Sequence, residues 1–122
     1  MKLYQYRMRV VRVIDGDSLI AFLDQGIHSY KIESLRVAGV NAPELFSGTQ
    51  REAGKAARDF VVAWVAEAAD LAANPEWPFE VETFRDATTF GRYIALVIRT
   101  DTGESLADAL VSAGHAVVSR AR

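Results

Sequence analysis

The order of strand-like and helix-like segments limits this chain to few folds. Three runs near the N-terminus, residues 4–14, 18–24 and 28–40, are rich in the β-branched and aromatic residues that are typical of strands. The turn signals Asp-Gly-Asp and Gln-Gly separate these runs, and we expect Gly16 to supply a positive φ in the first turn. The third run is long enough to bend, and we expect the bend at Gly39. The sequence therefore predicts three consecutive strands.

A long helix pattern follows the third strand. Thr49 and Glu52 have the spacing of a capping box, and the Asn-Pro-Glu-Trp-Pro segment at 74–78 ends the pattern. Between them, apolar residues recur at three- and four-residue steps, which predicts one buried face on a helix of about 20 residues. This face comprises Ala53, Ala57, Phe60, Val61, Trp64, Val65, Ala68 and Leu71.

Two more strands and a short helix complete the chain. Residues 79–86 and 92–100 predict strands four and five. Ser105 followed by Asp108 predicts the N-cap of a second helix, and Gly114 has the position of a C-terminal glycine. The residues of this helix that we expect to face inward are Leu106, Ala109, Leu110 and Ala113.

These elements predict a mainly β fold with α. Five short strands, with a helix between strands 3 and 4 and a second short helix near the C-terminus, match a five-stranded OB-fold barrel. The length of 122 residues suits a single domain, 1–122, with one hydrophobic core. A fold of this kind does not by itself give a function.

Composition excludes several kinds of protein. The chain has no cysteine, so it has no disulfide partner and no thiolate metal site. No run approaches the roughly 18 apolar residues of a membrane helix, and the N-terminus does not resemble a signal peptide. We therefore expect no membrane association and a cytoplasmic location. The net charge is −2, but residues 1–12 contain Lys2, Arg7, Arg9 and Arg12 and no acid, which predicts a local basic face.

Several polar residues stand at the ends of predicted strands. Asp15 and Asp17 follow strand one, and Arg92 opens strand five. Arg36 lies inside the apolar third strand, where a charge is costly unless it is paired or faces a cleft. Singly, each has an ordinary structural explanation: Asp-Gly-Asp as a turn, Asn-Ala-Pro-Glu as a loop, and each arginine as a solvated cation.

Together, these residues lie in motifs that resemble those of a known family. "VIDGDSLIAF" at 13–22, "LRVAGVNAPE" at 35–44 and "TTFGRYIALV" at 88–97 resemble, in that order, motifs of the staphylococcal nuclease (thermonuclease) family, as does "ESLADALVSAGHA" at 104–116. The resemblance covers most of the chain. It implies an OB-fold enzyme that hydrolyses DNA or RNA, or both, with one calcium ion and leaves 3′-phosphate ends.

The resemblance assigns roles to eight residues of these motifs. Arg36 and Arg92 correspond to the two arginines that hold the phosphate, and Glu44 to the carboxylate that orients or activates water. The calcium ligands would be Asp17, Asn41 and the backbone oxygen of Ala42, with Asp15 as an outer-shell support. Phe90 corresponds to a tyrosine near the bound nucleotide and would contact substrate. The implied partner is a nucleic-acid substrate, and we expect a monomer.

Asn41 departs from the family pattern, which usually has aspartate at this position. Asparagine keeps the oxygen but removes a negative charge, and calcium affinity falls with the number of charged ligands. The sequence thus leaves three alternatives: an active nuclease with weakened calcium binding, an inactive module of the same fold that binds nucleic acid or protein, and a barrel whose polar strand ends are only structural. Because Asp17, Arg36, Glu44 and Arg92 are all retained, we favour the active nuclease.

Overall fold

The computed structural model describes residues 4–43, 51–89 and 91–119, with the side chains of 85–89 outside that description. Its elements, in chain order, are β1 (Gln5–Asp15), β2 (Ser18–Asp24), β3 (Tyr30–Val37), β4 (Val40–Asn41), α1 (Arg51–Leu71), β5 (Phe79–Thr89), β6 (Arg92–Arg99), α2 (Leu106–Ser112) and β7 (Val117–Val118).

Five strands close into a barrel in the order β1-β2-β3-β6-β5. Strand β1 pairs antiparallel with β2 and with β5, and β2–β3 and β5–β6 are also antiparallel. The barrel closes through a parallel pairing of β3 with β6, in which Arg36 lies opposite Ile94. The predicted mainly β fold is therefore confirmed as a closed, mixed five-stranded barrel accompanied by two helices.

The core follows the two-residue alternation of the strands. On β2, Leu19, Ala21 and Leu23 are buried, whereas Ile20 and Phe22 lie on the other face and are partly exposed. Gly39 has φ +79° and separates β3 from β4, which confirms the expected bend in the third run. One face of each strand therefore packs inside the barrel, and the opposite face is available for contacts at the surface.

Helix α1 covers the barrel with a narrower stripe than the sequence predicts. Its buried residues are Gly54, Ala57, Val61, Trp64 and Ala68, at alternating steps of three and four. The prediction was wrong for Ala53 and Leu71, which are exposed. Gly54 takes the inward position beside Ala53, and Leu71 is the last residue of the helix. Thr49, the predicted start of the capping box, lies outside the described residues.

Helix α2 has the predicted ends. The Ser105 hydroxyl accepts a hydrogen bond from the Asp108 amide at 3.1 Å. Gly114 has φ +79°, and the next amide, of His115, donates to the Leu110 carbonyl at 2.9 Å, as in a Schellman-type ending. Ala113 was wrongly expected to face inward, because as the C-cap residue it lies exposed beyond the packed turns.

Neither helix has the length and apolar character needed to cross a membrane; this applies to the residues that the structure describes.

Candidate functional site

Three chain segments meet where β2 begins. The β1–β2 turn brings Asp17 next to the end of β3, and the Val37 amide donates to the Asp17 carbonyl at 2.8 Å. Ser18 pairs with Arg36 across the β2–β3 ladder. The parallel pairing of β3 with β6 then brings the first residue of β6, Arg92, to the same place. Residues far apart in sequence therefore form one cluster at this end of the barrel.

Arg36 is the centre of this cluster. Its Nη1 donates to the backbone carbonyls of Val37 at 3.2 Å and Val40 at 3.1 Å. Its Nη2 donates to Asn41 Oδ1 and lies 3.5 Å from Asp17 Oδ2. The side chain is only 22% exposed, so the guanidinium is both tied to the backbone and partly shielded from solvent. The requirement that a charge in this strand be paired is thereby met.

Arg92 reaches the cluster from the other side. Its Nη1 donates to the hydroxyl of Ser18, which is itself almost fully buried at 1% exposure. Ser18 also faces Asp17, whose Oδ1 lies 3.4 Å from the hydroxyl oxygen. The two arginines thus approach Asp17 and Ser18 at the start of β2 from different strands.

Asp17 has one occupied and one open carboxylate oxygen. Oδ2 accepts from the Ala42 amide at 2.9 Å and contacts Arg36, whereas Oδ1 meets only the distant Ser18 hydroxyl among the described residues. A carboxylate oxygen has about two lone-pair sites. Oδ1 is therefore the oxygen of Asp17 with spare capacity for a cation.

The three residues predicted to bind calcium carry oxygen donors of the types that calcium accepts. Calcium binds carboxylate, amide and backbone carbonyl oxygens, and Asp17 Oδ1, Asn41 Oδ1 and the Ala42 carbonyl provide one of each. Arg36 contacts Asn41 Oδ1, so a cation at this oxygen would compete with the guanidinium. In the described part of the chain, no three His, Cys, Asp or Glu side chains form a metal-binding group. Of the three predicted ligands, only Asp17 would contribute a side chain of these four types.

The other predicted site residues have different outcomes. Asp15 lies at the end of β1, opposite Ser18 in the β1–β2 register, and is therefore close to the cluster. Glu44 and Phe90 lie outside the described residues, and so their predicted roles stay predictions.

The support that the C-terminal segment gives to Asn41 was not predicted from the sequence. Strand β7 pairs with β4, with Val117 opposite Asn41, and the Ser119 amide donates to the Gly39 carbonyl at 2.8 Å. The same segments line a cavity of about 270 Å³ beside Asn41, formed by residues 41–43 and 114–117. The adjacent valines after Gly114 were the available signal for this strand.

Gly16 has a different role from the predicted one. It is not among the residues with positive φ, so the expected turn conformation is wrong. A Cβ at this position would lie 2.8 Å from the Cβ of Ala57 and 2.9 Å from that of Ala42. Glycine is therefore required because α1 and the segment after Asn41 approach the β1–β2 turn closely.

We expect Gly16→Ala to lower the free energy of unfolding by about 1–3 kcal/mol, the usual cost of overpacking. Urea denaturation followed by circular dichroism measures this loss. In an Ala57→Gly background, which removes the nearer Cβ, the same substitution should cost less. An equal cost in both backgrounds would show that contact with α1 is not the reason.

A scan against protein-family models returns no match for this chain, and a search of curated proteins returns no significant match.

Proposed function

We propose that this chain is a calcium-dependent nuclease with an OB-fold barrel, which hydrolyses phosphodiester bonds of DNA or RNA, or both, and leaves 3′-phosphate ends. The proposal combines the resemblance of its motifs to the staphylococcal nuclease family with one observation. Arg36 and Arg92, which are 56 positions apart in the sequence, both contact the Asp17–Ser18 pair at the start of β2. Two arginines that converge beside an open carboxylate oxygen suit a phosphodiester.

The two guanidinium groups have complementary positions for this chemistry. An arginine fork pairs with two phosphate oxygens at once and stays charged at any physiological pH. Arg36 is fixed by two backbone carbonyls, so it is already oriented before substrate binds. Arg92 is held by a neutral hydroxyl, a weaker partner that a phosphate can replace. Charge that builds on the phosphate oxygens in the transition state is thereby neutralised by preorganised donors.

The reaction requires one water and one proton acceptor. The water oxygen attacks phosphorus, the bond from phosphorus to O5′ breaks, and O5′ takes a proton from solvent, which gives a 3′-phosphate and a 5′-hydroxyl. We assign the acceptance of the water proton to Glu44, by its place in the motif. When bound by Asp17, Asn41 and the Ala42 carbonyl, a calcium ion would supply positive charge to the scissile phosphate.

Cleavage assays test this function. Purified protein is incubated with single-stranded DNA, duplex DNA and RNA, in calcium and in excess chelator, and the product ends are determined. We expect cleavage only with calcium, 3′-phosphate ends, and a large rate loss in Glu44→Gln. If no substrate is cut at any calcium concentration, the nuclease proposal is wrong.

We expect Asn41→Asp to lower the calcium concentration that gives half-maximal cleavage by about tenfold, since calcium affinity rises with the number of charged ligands. The measurement is a calcium titration of the cleavage rate, with wild type and variant side by side. The control is Asn74→Asp, which adds the same charge at an exposed position after α1. A similar shift in both variants would mean that general electrostatics, and not a ligand at Asn41, causes the change.

A binding module without catalysis is the second candidate. The contact between Arg36 and Asn41 favours it, because the amide oxygen already has a protein donor and contributes no charge for a metal. This candidate requires that nucleic acid or protein binds with no turnover at any calcium concentration. It fails if Asn41→Asp merely increases a cleavage activity that the wild type already has.

A further inference from the structure

The outer face of the first three strands, together with Trp77 of the segment after α1, brings aromatic rings and arginines together. Trp77 itself is buried at 6% exposure, so Phe22 and Tyr30 are the rings that a ligand can reach. Phe22, Tyr30 and Trp77 lie with ring centroids 5.5 to 6.1 Å apart, and their planes are within 11° of parallel. The Arg9 guanidinium lies 4.4 Å from the Phe22 centroid and 5.1 Å from that of Trp77. We call Arg9, Phe22, Tyr30 and Trp77 the aromatic platform.

The platform shares a strand face with the candidate site. Ser18, Ile20, Phe22 and Asp24 alternate with the buried residues of β2, and their β3 partners are Arg36, Ser34, Ile32 and Tyr30. The face therefore runs without a register break from Arg36 to Tyr30. Six positions of β2 correspond to roughly 20 Å. A chain held at Arg36 can thus extend directly along this face to the platform.

The charged group of the platform, Arg9, is available to a ligand. Arg7, at its edge, is paired with Asp24, but among the described residues neither Arg9 nor Arg12 forms an ion pair. A guanidinium stacked on a ring still directs its N–H groups outward in its own plane. Arg9 therefore lies over Phe22 and Trp77, and within the part of the chain that the structure describes no carboxylate competes with a phosphate for its donors.

Apolar groups are also exposed on this face. Tyr30 is 48% exposed and Ile32 is 60% exposed, and Ile27, at the adjoining β2–β3 turn, is 97% exposed. Exposed apolar surface next to arginines is typical of an interaction site. Bases of single-stranded nucleic acid stack on aromatic rings and guanidinium planes, and their phosphates pair with arginine.

We propose that this face binds a single strand of nucleic acid, with the aromatic platform as a second contact region beyond the phosphate-holding arginines. The inference rests on the proposed function, because the course of the bound nucleic acid from Arg36 to the platform assumes that Arg36 holds a phosphate. It specifies a single-stranded substrate that is several nucleotides long. Association with a second copy of the chain is disfavoured, because a two-fold contact through this face would place the Arg9 charges of both copies in one interface.

Binding is measured by fluorescence anisotropy with a labelled single-stranded oligonucleotide in excess chelator, so that no cleavage occurs. We expect Tyr30→Ser and Arg9→Gln each to raise Kd about fivefold or more, because stacking on one aromatic residue contributes about 1–3 kcal/mol per base. Arg9→Gln should also reduce the slope of log K against log salt by about 0.7. The matched control is Arg58→Gln, which removes an exposed arginine from α1 and should leave Kd unchanged.

Three outcomes would overturn the inference. One is that Tyr30→Ser and Arg9→Gln, with wild-type circular dichroism, bind the oligonucleotide as tightly as the wild type. The second is that Arg58→Gln weakens binding equally. The third is that sedimentation shows a dimer that Tyr30→Ser dissociates. Chelator prevents cleavage in this assay, so the binding result does not depend on nuclease activity. If the two variants lose binding but the wild type cleaves no substrate, the platform is supported and only the proposed function is contradicted.

Discussion

Replacing Arg36 with lysine is expected to lower the rate of calcium-dependent cleavage about 100-fold or more, the usual effect of removing a preorganised donor to transition-state charge. Lysine keeps the positive charge but has a single nitrogen, so it cannot hold the Val37 and Val40 carbonyls and present a donor to phosphate at the same time. The rate is measured under single-turnover conditions on a short single-stranded oligonucleotide at saturating calcium. Under these conditions weaker calcium binding does not contribute to the difference.

The same substitution should also lower stability. Arg36 donates to the carbonyls of Val37 and Val40, and lysine cannot reach both together with Asn41. We expect the free energy of unfolding to fall by about 1–2 kcal/mol, since each lost bond contributes about 1 kcal/mol. The cleavage rates of the wild type and of Arg36→Lys must therefore be measured at a temperature at which both proteins are folded.

Arg92→Lys is the matched comparison for Arg36→Lys. Among the described residues Arg92 contacts only the Ser18 hydroxyl, so its replacement should lower cleavage strongly and leave stability within about 0.5 kcal/mol. If Arg36→Lys lowers stability but cleaves at the wild-type rate, Arg36 is a structural support for the segment that contains Asn41. The third alternative from the sequence, a barrel with merely structural polar ends, predicts instead that Arg36→Lys lowers stability while neither protein cleaves nucleic acid.

Replacing Arg99 with methionine is expected to lower the free energy of unfolding by about 3 kcal/mol, as when one partner of a buried ion pair is removed. Arg99 is 3% exposed and binds Asp101 through two hydrogen bonds of 2.8 Å. It also lies 5.4 Å from the Trp64 ring centroid and contacts Glu67 at 2.9 Å. Glu67 is mostly exposed, so most of the loss should come from Asp101 and Trp64.

Thermal and urea denaturation measure this loss. For a chain of this size, about 3 kcal/mol corresponds to a decrease in Tm of roughly 10 °C. Arg58→Met is the control, because the Arg58–Asp59 pair is exposed and 3.8 Å long and should contribute less than about 0.5 kcal/mol. Adding Asp101→Asn to Arg99→Met should recover part of the stability, because no charged carboxylate is then left without its partner.

The loss of unfolding free energy caused by Arg99→Met should also depend on pH. The hydrogen bonds from Arg99 lower the pKa of Asp101 from its ordinary value of 3.8. A lowered pKa in the folded state contributes stability above the ordinary value, and that contribution is lost as pH falls through the lowered pKa. The difference between wild type and Arg99→Met should therefore be constant from neutral pH to about 5 and smaller in stronger acid. A difference that does not change with pH would assign the effect to packing against Trp64 alone.

Local patterns predicted the elements well where a single periodicity applied. The second strand was predicted at 18–24 and found at Ser18–Asp24, because its alternation is regular and turns bound it on both sides. The third run was correctly expected to bend at Gly39. Gly16 was predicted for the wrong reason, since a turn motif indicates backbone conformation but does not show that α1 approaches it from 41 positions away.

The long-range contacts of the candidate site could not be predicted in the same way. The motif spacing identified Asp17, Arg36, Asn41 and Arg92 as members of one set, but not which atoms of them touch. Arg99 was overlooked, although an arginine at the end of an apolar strand, two residues before an aspartate, was a usable signal. The aromatic platform was also missed, because Trp77 belongs to the segment after α1 and joins Phe22 only when the barrel closes.

The sequence by itself determined the types and order of the elements, because two- and 3.6-residue periodicities are properties of neighbouring residues. Only the tertiary structure decided that β3 pairs parallel with β6, that β7 returns to β4, and that one outer face connects Arg36 with Tyr30. These pairings depend on which strand edges meet when the barrel closes. The pairing of strand edges is determined by the packing of the whole core, so it cannot be predicted from any short stretch of the sequence.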